Sequence, residues 1–327
     1  MRGIISPKLV PLLEQANIAI AAAKATGQGF SAELVRQGLD NLSALMGSGP
    51  NIAIVKDTIL ASSSHNIPVR IYNPAPNEVL PVLLHFHGGG HMCGSADLYD
   101  PISRKLALAT QAIVICVDYR LAPEYPYPAG LDDCQQVLER YQSLLTEMKY
   151  SDELYIAGDS AGGAICTSLV MNNSINEKTS DSIKIDKQIL VYPSVDYTMA
   201  SASIDENGQG FLLEKDKMHW YFQQYFQVSS LEQDEITQTK IVKASPLLGK
   251  FSANMPTTLV ITAGCDPLRD EGVAYAKSLK EVGVNVEHHS FDGMTHAYML
   301  LNDLVSDECQ QTYQLIGQFV KAGINDQ

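Results

Sequence analysis

The chain has 327 residues, of which 45% are hydrophobic, so it is long enough for one large α/β domain with insertions or for two domains. Its formal net charge of −14, without any cluster of Lys or Arg, argues against nucleic-acid binding, which depends on basic residues that neutralise phosphates. No stretch approaches the roughly 20 consecutive apolar residues of a membrane-spanning helix.

The N-terminus and the cysteines indicate where the protein resides. Pro7, Pro11, Glu14 and Lys24 interrupt the apolar N-terminal stretch, so it lacks the pattern of a signal peptide. The six cysteines have neither paired nor metal-ligand spacing, and reduced thiols in a cytoplasmic protein explain them most simply. We therefore expect a cytoplasmic protein with no metal site.

Eight extended runs follow residue 50, and from the third onward they alternate with helix-like stretches. This alternation predicts a mostly parallel sheet flanked by helices. No helix separates the first two runs, so we expect an antiparallel edge there. The predicted strands are Ile52–Leu60, Val69–Tyr72, Val82–Phe86, Ala112–Val117, Leu154–Ala157, Gln188–Tyr192, Thr258–Thr262 and Val284–His289. The predicted helices are Tyr99–Ala109, Leu131–Lys149, Gly163–Asn172, Glu271–Val282 and Glu308–Ala322.

Two regions do not follow this alternation. Residues 1–48 are helical in pattern, and residues 199–250 contain an aromatic-rich helix around Phe211–Phe226. Long excursions from a compact α/β sheet commonly form lids over binding sites. We therefore interpret 1–48 as N-terminal cap helices and 199–250 as a cap insertion, with 49–198 and 251–327 as the two parts of the α/β core.

The most informative segment is LYIAGDSAGG, Leu154 to Gly163. An apolar strand ends there and a buried helix begins, and Ser160 lies between them with glycines on both sides. A turn this tight leaves no room for a Cβ two residues before or after the serine, and it projects the hydroxyl above the sheet. The segment predicts a nucleophile elbow with Ser160 as the nucleophile.

A serine nucleophile needs a base and a group that orients the base, both from loops after later strands. Asp266 directly follows the strand Thr258–Thr262, whereas Asp270 and Glu271 lie where a helix begins and can cap its amides. His296 follows the last strand, beyond a glycine-bearing loop. We predict Ser160, Asp266 and His296 as the catalytic residues.

Acyl transfer also needs hydrogen-bond donors for the developing oxyanion. The strand Val82–Phe86 ends in His87-Gly88-Gly89-Gly90, where no side chain obstructs the approach of a ligand to the backbone. We predict an oxyanion hole formed by the N–H groups of Gly88, Gly89 and Ala161.

Together these motifs resemble the hormone-sensitive-lipase-like group of α/β-hydrolases, which comprises carboxylesterases and lipases. HGGG at 87–90 is similar to its oxyanion motif and GDSAGG at 158–163 to its extended elbow. Further similar segments are DYRLAPE at 118–124, Tyr192-Pro193 with Asp196, Ser245-Pro246-Leu247, and Asp266-Pro267-Leu268. The resemblance implies an α/β-hydrolase fold with a helical cap, and a serine esterase that needs no cofactor.

The resemblance leaves the substrate pocket open, because the family often has aromatic residues where this chain has His91 and Ala297. Apolar residues of the cap insertion can supply a ceiling over the site, among them Leu213, Met218, Trp220, Tyr221 and Tyr225. Small to medium acyl chains are expected, because no membrane-docking helix is evident. The predicted pocket residues are His91, Phe211, Leu212, Tyr192, Met294 and Tyr298.

Two other functions are compatible with parts of this pattern. An amidase or peptidase can use the same three residues, because the triad does not choose the leaving group. A ligand receptor that reuses the fold without turnover predicts loss of a catalytic residue, and all three are present. The last strand is expected at a sheet edge, which allows a homodimer.

Overall fold

The computed structural model describes residues 1–62, 65–175 and 183–322. Eight strands lie in these ranges: β1 (Ile54–Ala61), β2 (Asn66–Asn73), β3 (Leu80–Phe86), β4 (Ile113–Val117), β5 (Tyr150–Asp159), β6 (Lys187–Val191), β7 (Thr257–Cys265) and β8 (Val286–Thr295). The same ranges contain ten α-helices: α1 (Val10–Ala25), α2 (Ala32–Ser43), α3 (Asp100–Thr110), α4 (Ala129–Arg140), α5 (Ala161–Ile175), α6 (Ala202–Asn207), α7 (Lys215–Phe226), α8 (Glu235–Ala244), α9 (Arg269–Glu281) and α10 (Ser306–Lys321).

All eight strands form a single sheet in the order β1-β2-β4-β3-β5-β6-β7-β8. Strand β2 pairs antiparallel with both β1 and β4, and every other neighbouring pair is parallel. The predicted fold, a mostly parallel eight-stranded sheet with one antiparallel edge, is therefore confirmed. The parallel arrangement places the ends of β3, β5, β7 and β8 along one edge, where the residues that follow them can meet.

The two faces of the sheet bury different side chains, as the period of two in a strand requires. In β3, Val82 and Leu84 face the helices α4, α5 and α9, whereas Leu83 faces α3 and α10. All three side chains are completely buried. The strands are apolar on both faces because helices cover both sides, which is typical of a parallel sheet.

Helices outside the sheet layers form a further apolar cluster of their own. Val35 of α2, Ile204 of α6, Phe222 of α7 and Ile241 of α8 are buried together. Their cluster also includes Leu268, which lies just beyond β7 in the core. The N-terminal helices and the 199–250 segment are therefore packed onto the core and onto each other. No helix in the described ranges is both long enough and apolar enough to cross a membrane.

Three of the element bounds that differ from the sequence prediction have a local cause. Strand β8 continues to Thr295, because its backbone at Asp292 packs closely against Gly264 of β7. A Cβ on Gly264 would lie 2.2 Å from the Asp292 carbonyl oxygen. Helix α4 ends at Arg140 and a short 3₁₀ turn follows, since the chain must reverse before β5 starts. Helix α7 begins at Lys215 and not near 211, because the backbone turns at Leu212, which has φ +73°.

The start of α5 packs against the end of β3 at a distance that only glycine allows. A Cβ on Gly162 would lie 1.8 Å from the Phe86 carbonyl oxygen, a backbone atom that cannot rotate away. We expect Gly162→Ala to lower the free energy of unfolding by about 3 kcal/mol or more, measured by urea unfolding followed by circular dichroism.

Gly38→Ala is the matched control, because Gly38 lies in α2 and a Cβ there meets nothing within 4 Å. This substitution should leave stability unchanged or raise it by up to about 1 kcal/mol, as alanine favours the helix. Equal unfolding midpoints for the two variants would contradict the close-packing argument.

Candidate active site

Ser160 lies in the turn between β5 and α5, in a strained backbone conformation with φ +52°. Its N–H donates to the Val191 carbonyl oxygen (3.0 Å), and its carbonyl oxygen accepts from the Ser194 N–H (3.0 Å). A Cβ on Gly158 would lie 2.3 Å from the Gly162 carbonyl group. The neighbouring strand and the two glycines therefore hold the serine in a left-handed conformation that an L-residue rarely adopts.

The structure brings Ser160, His296 and Asp266 together in one hydrogen-bonded chain. His296 Nε2 lies 2.8 Å from Ser160 Oγ, and His296 Nδ1 lies 2.8 Å from Asp266 Oδ2. An ionised carboxylate can only accept, so Nδ1 carries the proton and Nε2 is left to accept from the serine hydroxyl. All three side chains are buried, and Asp266 has no exposed surface.

The loop that carries Asp266 is fixed by contacts from distant parts of the chain. Asp266 Oδ1 accepts from the Leu268 N–H at 2.8 Å. Asn207, at the end of α6, donates from Nδ2 to the carbonyl oxygens of Gly264 (3.2 Å) and Asp266 (3.1 Å). Its Oδ1 accepts from the Gly3 N–H at 2.9 Å. No sequence motif marks Asn207, and its position becomes evident only when α6 packs beside this loop.

The sequence predicted that Asp270 and Glu271 cap the amides of their own helix, but the structure shows other partners for both carboxyl groups. Asp270 Oδ2 accepts from the Ser203 N–H at 3.0 Å, and Glu271 Oε1 accepts from the Val195 N–H at 2.7 Å. Burial raises the pKa of Glu271. Both carboxyl groups connect the start of α9, beside the loop that carries Asp266, to neighbouring segments. They accept from backbone N–H groups that lie outside α9.

Gly88 cannot serve as an oxyanion donor in this structure, which corrects the sequence prediction. Its N–H already donates to Asp159 Oδ1 at 3.0 Å. The N–H groups of Gly89 and Gly90 have no acceptor among the described residues, and both glycines line the cavity beside Ser160. Ala161 opens α5, so its N–H lacks an intrahelical partner. The glycine run can adopt this shape because Gly89 and Gly90 have φ +114° and +63°.

A cavity extends from Ser160 to the helices above the sheet, with an empty volume of about 850 Å³ including its open mouth. Its floor includes Gly89, Ser160 and His296. Its opposite wall is mostly apolar and comes from α2 and from the 212–222 segment: Leu39, Leu42, Leu212, Leu213, Lys217, Met218, Tyr221 and Phe222.

Two of the six predicted pocket residues, His91 and Leu212, line this cavity. The His91 ring stacks on Tyr225 with centroids 3.9 Å apart, and His91 Nε2 lies 2.8 Å from the Tyr197 hydroxyl. These contacts hold the imidazole at the cavity wall. Leu213, Met218 and Tyr221 also line the cavity, whereas Trp220 and Tyr225 do not.

The other four predicted pocket residues lie outside the cavity, so their prediction as lining residues is wrong. Phe211 packs with Leu13 and Cys265, under the Arg2 guanidinium. The Tyr192 ring contacts the His296 ring edge to face at 4.9 Å. Tyr298 and Met294 are buried in the sheet-side core. The order of residues in the sequence does not reveal whether a buried side chain faces the cavity or another part of the core.

Asp159 is the one carboxylate that lines the cavity within the described ranges. Burial raises its pKa to about 6, although hydrogen bonds from the Tyr99 hydroxyl (3.1 Å) and the Gly88 N–H oppose this shift. Its carboxylate connects the end of β5 to the glycine loop after β3. The raised pKa means that folding disfavours the ionised form.

The raised pKa of Asp159 predicts a pH-dependent gain in stability for Asp159→Asn. In the folded protein the pKa of Asp159 is about 6, whereas its ordinary value is 3.8. Ionisation of Asp159 therefore lowers the free energy of unfolding as the pH rises above 4, and the full loss is reached above pH 6. The difference corresponds to at most about 3 kcal/mol. An amide does not titrate and can still accept from the Gly88 N–H.

The measurement is urea unfolding of both proteins between pH 4 and pH 8. The free energy of unfolding of Asp159→Asn relative to the wild type should rise as pH increases from 4 to 6 and then level off. Asp152→Asn, an exposed carboxylate on the same strand, controls for the loss of one negative charge. A relative stability that falls over this range would contradict the burial argument.

In the part of the chain that the structure describes, no three His, Cys, Asp or Glu side chains are grouped so as to hold a metal ion. The hydrogen-bonded chain at Ser160 is a chemically distinctive feature of the cavity. A serine hydroxyl, an imidazole that can take its proton and free backbone N–H groups fit acyl transfer.

Comparisons with known proteins agree with this geometry. Residues 83–300 match the family described as the alpha/beta hydrolase fold. Ethyl acetate hydrolase of Pseudomonas putida is 30% identical over 313 residues, covering 93% of this chain and 94% of that protein. Carboxylesterase NlhH of Mycobacterium tuberculosis is 32% identical over 300 residues, covering 91% and 90%.

A solved structure is also similar over nearly the whole chain. The ester-hydrolase EH1AB1 from the metagenome of Lake Arreo, complexed with a derivative of bipyridine phosphonate, has a TM-score of 0.84 and 29% identity. The similarity covers 98% of this chain and all of that one. With the HGGG and GDSAGG motifs in place around the cavity, the chain belongs to the α/β-hydrolases and, within them, to the hormone-sensitive-lipase-like family of carboxylesterases.

Proposed function

We propose that this protein hydrolyses carboxylic esters of small to medium acyl chain through an acyl-enzyme on Ser160. The observation that carries the proposal is the hydrogen-bonded chain from Ser160 Oγ through the His296 ring to Asp266. The cavity above Ser160 is large enough for a small ester, and similar proteins are named ethyl acetate hydrolase and carboxylesterase.

The proposed reaction has two halves that use the same groups. His296 Nε2 takes the proton of Ser160 Oγ as the oxygen attacks the ester carbonyl, and then gives that proton to the leaving alcohol. Water next donates a proton to Nε2 and attacks the acyl-enzyme, which releases the carboxylic acid and restores the serine. Asp266 holds Nδ1–H and stabilises the imidazolium that forms in each half.

The proposed oxyanion donors are the N–H groups of Gly89, Gly90 and Ala161. These donors lie beside Ser160 and have no acceptor outside their own helix or turn among the described residues, and Asp159 holds the preceding glycine in place. Donors fixed in advance stabilise the charge of the tetrahedral intermediate without reorganisation, and loss of one such donor costs about 3 kcal/mol of the barrier.

The cap segments 1–48 and 199–250 are proposed to shape the acyl site. Leu39 and Leu42 of α2 face the cavity, as do Leu213, Met218 and Tyr221 of the insertion. An apolar wall favours an apolar acyl group and excludes bulk water from the acyl-enzyme. Cytoplasmic location and a homodimer remain predictions from the sequence.

Amide hydrolysis is a second candidate, because arylacetamide deacetylase of Rattus norvegicus is 27% identical over 320 residues, covering 80% of this chain and 79% of that protein. Esters are favoured here because two more similar relatives, each over 90% of this chain, are named for ester hydrolysis. A ligand receptor without turnover is disfavoured, because Ser160 is hydrogen-bonded to His296 and His296 is hydrogen-bonded to Asp266.

Ser160→Ala removes the nucleophile, so hydrolysis of p-nitrophenyl butyrate should fall on the order of 10⁴-fold or more. The wild type should react covalently with a fluorophosphonate probe and the variant should not. Ser201→Ala is the control, because the Ser201 side chain makes no capping hydrogen bond at α6. Activity of Ser160→Ala within a few-fold of wild type would refute the assignment, and a wild type that stays unlabelled would favour the receptor.

Acyl preference is measured with p-nitrophenyl esters from acetate to palmitate. Each buried methylene favours binding by about 0.8 kcal/mol, so kcat/KM should rise until the cavity is filled and then fall. We expect the maximum between butyrate and octanoate. A value that continues to rise to palmitate would overturn the acyl-chain assignment. The anilide matched to the best ester should be hydrolysed far more slowly, and faster anilide cleavage would favour an amidase.

A further inference from the structure

Lys217 is a cation in the otherwise mostly apolar wall opposite Ser160. It lies in the first turn of α7 and lines the same cavity as Ser160 and His296. No other Lys or Arg lines that cavity in the described ranges. The nearest aromatic contact recorded for its ammonium is the Tyr221 ring, whose centroid lies 5.5 Å from Nζ.

The charged neighbours of Lys217 on the same segment are paired with other groups. Lys215 pairs with Asp205, and Asp216 pairs with Lys24 of α1. Lys217 itself has no carboxylate within 4.0 Å and donates no side-chain hydrogen bond within residues 1–62, 65–175 and 183–322. A positively charged side chain in the first turn is also disfavoured by the helix dipole. Helix stability therefore does not account for a lysine at this position.

The surroundings of Lys217 disfavour a charge that lacks a partner. Burial lowers the pKa of Lys217. Asp159, the one carboxylate that the described residues place in the cavity wall, already accepts from Gly88 and Tyr99. A cation in a partly dry cavity gains most from an anion that enters with the ligand.

We propose that Lys217 binds an anionic group carried by the ester substrate at the end remote from the scissile bond. The proposal rests on the esterase function above and names its substrate class, which is esters that bear a carboxylate. Hydrolysis of such an ester consumes one water and releases one proton. The products are a dicarboxylate and an alcohol when the carboxylate lies on the acyl side, or a carboxylate and a hydroxy acid anion when it lies on the alcohol side. The Lys217 ammonium takes no part in bond cleavage and acts on specificity.

The test compares substrates that differ only in this charge. Monoethyl adipate is paired with the ethyl ester of adipic acid monoamide, which has the same shape without the charge. O-acetyl-γ-hydroxybutyrate and its amide form a second pair, in which the carboxylate or the amide lies on the alcohol side of the ester bond. Wild type, Lys217→Met, Lys217→Arg and Lys215→Met are assayed by pH-stat. Lys215→Met is the matched control, because it removes a half-exposed lysine two residues away on the same helix.

The readout is the ratio of kcat/KM for the carboxylate ester to kcat/KM for its amide partner. We expect Lys217→Met to lower this ratio about tenfold in at least one pair, mainly through KM for the charged ester. Lys217→Arg should keep most of the ratio, and Lys215→Met should keep the wild-type value. A change of less than threefold in both pairs for Lys217→Met would overturn the proposal.

Two further measurements separate this inference from the esterase proposal. Circular dichroism and fluorophosphonate labelling show whether each variant is folded with an active serine, and Lys217→Gln replaces the methionine variant if that one does not fold. If the wild type hydrolyses p-nitrophenyl butyrate but none of the four esters, the substrate-class inference is overturned; if it hydrolyses none of the five, the esterase proposal fails. Calorimetric binding of adipate then tests Lys217 by itself: tighter binding by wild type than by Lys217→Met supports an anion site, and equal or absent binding overturns it.

Discussion

The hydrogen bond between His296 Nδ1 and the buried carboxylate of Asp266 is the interaction on which the account depends. It keeps the proton on Nδ1, and Nε2 is then left to accept from the Ser160 hydroxyl. Asp266 has no exposed surface, and its carboxylate accepts from the Leu268 N–H and from His296 Nδ1. The loop around it is in turn fixed by Asn207, so α6 helps to position Asp266.

A second constraint is the close approach of α5 to β3. Gly162 allows the helix to start directly beside the Phe86 carbonyl group, which places the glycine loop after β3 next to the serine. Asp159 then joins the two segments by accepting the Gly88 N–H. Gly89 and Gly90 line the cavity floor with N–H groups that have no acceptor in the described part of the chain. Packing at the sheet edge and the geometry of the site therefore have the same physical origin.

The sequence predicted the fold and the convergence of Ser160, Asp266 and His296, because each follows a strand in a parallel sheet and parallel strands end at one edge. It failed where the outcome depends on tertiary neighbours. The Gly88 N–H donates to Asp159, and no local sequence pattern predicts this hydrogen bond. Phe211 is apolar and lies in the 199–250 segment, yet it packs with Leu13 and Cys265 and not in the cavity. Lys217 gave no sequence signal, since its importance comes from the cavity it faces.

Mass spectrometry of the enzyme quenched during turnover of p-nitrophenyl butyrate tests the central claim most directly. The account predicts a butyryl adduct on the peptide that contains Ser160, formed in a burst with p-nitrophenol release and lost as water completes the cycle. Turnover without any covalent adduct, or an adduct on a residue other than Ser160, would contradict the account.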